Sequence, residues 1–133
     1  MNQQRNIGFV IVFLLIVSCT ATTRFPVSAT VPAAEITAVK KKEKNQNYVV
    51  EIKARYLAEA SRLQPPKNNY CVWIVTTDGI TKNIGQLSVS NIKKTELKAV
   101  TPFEFKEVFI TAEDRGDVTY PSGVEISRTS FKK

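Results

Sequence analysis

Beyond residue 33 the chain alternates apolar and polar positions with a period of two, the period of a half-buried β-strand. Asn47–Leu57 shows it most plainly. Val50, Ile52, Ala54 and Tyr56 fall on one face, and Glu51, Lys53 and Arg55 on the other. Six more segments rich in β-branched and aromatic residues read as strands: Ala33–Val39, Tyr70–Thr76, Lys82–Ser90, Ile92–Val100, Phe105–Glu113 and Val124–Phe131. Pro65-Pro66 breaks the loop SRLQPPKNN because proline cannot donate to a ladder. Asp78-Gly79 marks a tight turn, and Gly85 a bulge. Tyr70–Thr76 and Phe105–Glu113 are apolar on both faces, which predicts central strands. No useful length of chain has the helical period. The expected class is all-β, an antiparallel sandwich of about seven strands over residues 33–133.

The first residues follow another pattern. Polar MNQQRN, with one charge at Arg5, leads into an apolar run from Ile7 to Val17. A helix of that length reaches about 16 Å, against about 30 Å of bilayer hydrocarbon, so the run has the length of a signal-peptide core instead. It ends in Ile16-Val17-Ser18-Cys19, which resembles the lipobox of bacterial lipoproteins. The resemblance implies cleavage after Ser18 and a diacylglyceryl group on the Cys19 thiol. A plain secretory signal with an incidental cysteine is the other reading. Thr20, not an acidic residue, follows Cys19. The usual pattern for inner-membrane retention is thus missing, and the outer membrane is favoured if the cell has two. The expected location is the cell envelope, lipid-anchored, with the domain outside the cytoplasm. Residues 20–32, rich in Thr, Ala, Ser and Pro, read as a flexible tether that could reach about 45 Å if extended.

Charge and residue usage then limit the chemistry. Removing residues 1–18 takes away Arg5 alone, so 18 basic residues face 12 acidic ones and the net charge falls from +7 to about +6. There is no histidine, which excludes Ser-His-Asp and Cys-His arrangements. With Cys19 committed to lipid, Cys71 is the one free cysteine, too few for a zinc site. Cys71 shares a face with Trp73 and Val75 and reads as a buried, unreactive thiol. Trp73 reads as a core residue of the sandwich; the functional alternative is a stacking or partner-anchoring role. Glu113, Asp114 and Asp117 lie together beside Gly116, but match no calcium-loop spacing and enclose Arg115.

Lys40, Lys41, Lys42 and Lys44 surround Glu43. Such a run is usually a solvated edge that discourages strand aggregation. Contact with an anionic membrane surface is the second reading, worth about 1 kcal/mol per basic residue. Nucleic acid is not an expected partner: the compartment is wrong, and aromatics do not interleave with the basic residues.

The strands also carry a family resemblance. Tyr70-Cys-Val-Trp73 leading to Gly79, then Asn83-Ile-Gly85-Gln-Leu87, Phe109-Ile-Thr-Ala-Glu113 and Pro121-Ser-Gly123, resemble the extracytoplasmic C-terminal domain of anti-sigma-K-type factors and small secreted proteins of unknown function. The likeness spans about residues 33–131 and implies an immunoglobulin-like sandwich. It does not carry over sigma-factor binding, which belongs to a cytoplasmic domain with no counterpart in these residues. Asp114 stands where relatives often have proline, so the loop that follows is expected to differ in shape.

A non-enzymatic interaction or structural module of the envelope, without a cofactor and with an envelope protein as its partner, is therefore the leading expectation. A ligand-binding or sensing lipoprotein using the loops Arg62–Asn69 and Glu113–Ser122 is the alternative, and an enzyme built on carboxylates comes last.

Overall fold

A computed structural model describes residues 20–89 and 93–131; the signal segment and Cys19 lie outside the described residues. Among the described residues, eight strands form two four-stranded antiparallel sheets. They are β1 Thr20–Arg24, β2 Glu35–Lys42, β3 Tyr48–Arg55, β4 Asn69–Thr76, β5 Thr81–Leu87, β6 Thr95–Thr101, β7 Phe105–Glu113 and β8 Val124–Ser130. One sheet runs β1-β2-β3-β6 and the other β5-β4-β7-β8. The chain changes sheet after β3, β5 and β6, so β3 pairs with β6 and β4 with β7. The result is a β-sandwich, with β2, β3 and β6 in one sheet facing β4, β7 and β8 in the other.

The seven expected strands are β2 to β8, and β4 and β7 are the central pair of their sheet. The eighth corrects the reading of a flexible tether. Thr20–Arg24 pairs with Thr37–Lys41 along its whole length, and Phe25, Ser28 and Val31 are buried behind it. Thr23 Oγ1 lies 2.9 Å from Thr129 Oγ1 on β8, and Ser127 donates to the Pro26 carbonyl at 3.0 Å. The strand extends the first sheet and closes that side of the sandwich. The lysine run lies on β2 and the turn after it: Lys40, Lys41 and Lys42 end the strand, and Lys44 is in the turn.

Between the sheets lies one core, drawn from the inward faces of β2, β3, β4, β7 and β8 and from Leu57 and Leu63 in the link after β3. Val50, Ile52 and Ala54 are fully buried, as the alternation requires. Tyr56 departs from it. Its φ of +56° turns the ring outward and lets Leu57 enter the core.

Trp73 is fully buried, as expected, in a second cluster apart from the core between the sheets. Tyr70, Val72 and Ile74 point between the sheets; Cys71, Trp73 and Val75 point to the outer face of the second sheet and pack with Phe109 and Val118. A strand apolar on both faces has two buried sides, and here the second is roofed by the link 114–123.

The connections divide sharply by end. One end carries the start of β1, the end of β8 and the three short turns 43–47, 77–80 and 102–104. In the turn 77–80, Gly79 takes φ +88°, open to glycine without a steric cost. The opposite end carries the long links 25–34, 56–68 and 114–123, and the ends of β5 and β6 at Leu87 and Thr95. The eight residues of β2 set the ends about 25 Å apart at about 3.3 Å per residue.

Candidate functional site

At the short-turn end the two sheets part around a groove of about 550 Å³. Tyr48, Phe105 and Phe131 line it, with Thr20 and Ala21 of β1 at one side and Lys106 at the other. Phe105 meets Tyr48 and Phe131 edge-on, with centroids 6.2 and 5.7 Å away. Lys40 follows Ile36 and Ala38 on the inward face of β2, so its side chain enters this aromatic cluster. Its ammonium lies 4.7 Å from the Phe105 centroid, 5.3 Å from Tyr48 and 5.8 Å from Phe131, and donates to the Phe105 carbonyl at 2.6 Å. Burial pushes the Lys40 pKa below its ordinary value, and the Glu104 carboxylate partly opposes that.

The four lysines of the run are therefore not one cluster. Lys40 points into the groove, Lys42 stands at its mouth with its ammonium 5.9 Å from the Tyr48 centroid, and Lys41 takes the opposite face of the strand. Lys44 is exposed in the turn after β2. Two lysines outside the run join this end instead. Lys106 lines the groove, and Lys82 places its ammonium 4.3 Å over the ring of Phe103. Phe103 and Ile80, at the tips of two short turns, are 46% and 50% exposed. Only the pairing of β7 with β4 and β8 brings Lys106 here, so no local pattern marks it.

The far end is built around the carboxylate of Glu113, only 1% exposed. Thr111 donates to it at 2.6 Å, the Ser122 hydroxyl at 2.9 Å, and the Gly123 and Ser122 amides at 3.1 and 3.3 Å. Burial pushes its pKa up, but these donors more than reverse that and hold it below the usual carboxylate range. Asn83 clamps the same link from the other side, donating to the carbonyls of Gly116 and Val118 at 3.0 and 2.9 Å.

Beneath the link, Cys71 lies close to the carbonyls of Arg115 and Gly116. Burial first, then the Glu113 and Asp117 carboxylates, push its thiol up to about 11 against an Asn83 hydrogen bond. At neutral pH a thiol so held stays protonated, the weakly nucleophilic form.

The carboxylates near Gly116 are engaged separately. Glu113 faces inward, Asp114 pairs with Lys67 at 3.4 Å, and Asp117 with Arg115 at 2.8 Å. The loops Arg62–Asn69 and Glu113–Ser122 do meet: Asn68 and Asn69 both donate to the Asp114 carbonyl at 3.2 Å. The Tyr70 hydroxyl donates to the Ala58 carbonyl at 2.6 Å, tying the link after β3 to the sheet. Val27, Tyr56, Tyr120 and Val124 are exposed at this end. No protein-family model, no curated protein and no solved structure matches the chain.

Proposed function

We propose that the chain is a lipoprotein of the cell envelope whose β-sandwich acts as a non-catalytic interaction module, with the long links 25–34, 56–68 and 114–123 as its contact surface. The observation that carries this is the position of Thr20. It is the residue after Cys19, it begins β1, and it lies at the short-turn end. A lipid on Cys19 would hold that end at the membrane and direct the long links outward by about 25 Å.

A further feature supports the reading. Val27, Tyr56 and Tyr120 are exposed on those links, and tyrosine is enriched where proteins meet.

The test labels cells with a radioactive fatty acid and follows the chain through detergent phase separation. Wild type should carry label and enter the detergent phase; Cys19→Ser should do neither. In vesicles holding a lipid-borne quencher, a dye at Lys44 should be quenched and a dye at Tyr120 should not. Equal quenching at both positions would overturn the proposed orientation.

A further inference from the structure

The groove at the short-turn end combines three properties that a soluble core has no need of together. Its lining is aromatic. Lys40, Lys42 and Lys106 gather around it against Glu104 as the single carboxylate among its lining residues. Thr20 and Ala21 form one of its walls, so it opens one residue away from the proposed lipid anchor. Because β1 is paired from Thr20 onward, no free chain separates the anchor from the groove.

We propose that this groove binds one anionic phospholipid of the membrane to which the chain is anchored. The phosphate is held by Lys42 and Lys106 beside Lys40, and the glycerol end lies against the rings of Tyr48, Phe105 and Phe131. The inference rests on the lipoprotein reading, since the anchor is what brings the groove to a lipid headgroup. Charge complementarity selects the phosphate. The ring faces accept the apolar carbon next to it, as aromatic side chains do at the membrane interface. The exposed Phe103 and Ile80 flank the groove on the same end and give the surrounding surface the mixed apolar and basic character of a membrane-facing face.

The test uses the full chain purified from membranes in mild detergent. Mass spectrometry under denaturing conditions reads the covalent acyl group on Cys19, and native mass spectrometry reads lipid held without a bond. One retained anionic phospholipid is expected beside the covalent group. In lipid nanodiscs, Lys42→Gln with Lys106→Gln should weaken retention of phosphatidylglycerol about 30-fold, two surface charges' worth. Ala21→Phe should expel the lipid by filling the groove with the charge unchanged. Melting curves establish that each variant is folded. A missing acyl group would overturn the lipoprotein reading itself. With the acyl group present, the groove assignment is overturned by absence of a retained lipid, by equal retention in folded variants, by equal retention of phosphatidylcholine, or by full displacement with inorganic phosphate alone.

Discussion

Trp73 and Glu113 meet on a single hydroxyl. The indole N–H donates to Thr111 Oγ1 at 2.8 Å, and the same hydroxyl donates to the Glu113 carboxylate at 2.6 Å. The oxygen uses its acceptor and its donor at once, which fixes the direction of both bonds. Across the sheet, Asn83, Trp73, Phe109 and Arg128 lie in one cross-strand row. Trp73 stacks on Phe109 at 6.1 Å, and the Arg128 guanidinium lies 4.0 Å from the Phe109 centroid. The residues singled out at 73, 83, 113 and 121–123 thus converge on one task, holding the link 114–123 over the outer face of the sheet.

Removing the shared hydroxyl should be costly. Thr111→Val keeps the shape of the side chain but leaves the Trp73 N–H without its acceptor and Glu113 without its shortest donor. A loss of about 1–3 kcal/mol is expected from denaturant unfolding. Trp73→Ala should cost more, about 3–5 kcal/mol, because it also empties the space beneath the link. A Thr111→Val protein as stable as wild type would show that the bridge contributes nothing.

Glu113 should make stability depend on acid. Its folded pKa lies below the ordinary value of 4.5, so its contribution is fully present above that value. It is lost as pH falls through the folded pKa, where the carboxylate must protonate. Glu113→Gln should flatten that acid limb and leave the slope near neutrality unchanged. An unchanged acid limb in the variant would place the titration elsewhere.

Gly123 leaves no space for a side chain. A Cβ there would stand 1.8 Å from the Ala112 carbonyl oxygen, a backbone atom that cannot swing aside. Gly123→Ala should therefore displace the start of β8 and loosen the link it ends. Trp73 is the single tryptophan, so its emission should shift to the red in this variant as water reaches the indole. Emission unchanged from wild type would show that the link tolerates the displacement.

Cys71 reports on the same link. If Cys19 is acylated as proposed, Cys71 is the one free thiol, and it is fully buried. Alkylation of the native protein near pH 8 should be slow, limited by opening of the link, and should accelerate in Gly123→Ala. Rapid labelling of the wild type would contradict the burial.

The two-residue period made β2 to β8 legible in the sequence because each has at least one apolar face. β1 has none to show. Its TATTR is a half-exposed edge strand of threonines, and threonine in a small-residue stretch looks the same in a tether as in a strand. Trp73 and Lys40 were illegible for a different reason. A strand apolar on both sides does not reveal which side faces the other sheet. A lysine continuing the inward face of β2 looks like the start of a solvated turn until the rings from β3, β7 and the chain after β8 surround it. Glu113 was visible only as one of three nearby acids. The donors that set it apart come from its own strand and from residues 122 and 123, brought back by the turn into β8.

The position of β1 also decides how the molecule bears tension. If the chain is anchored at Cys19 and held by a partner at the long links, as proposed, the two pull along the strand axes in opposite directions. The five residues of β1 then slide against β2 rather than peel from it, and their hydrogen bonds stretch together instead of breaking in turn. Under the proposed anchoring, an edge strand that contributes little to the core is placed to act as the mechanical clasp between the domain and its lipid.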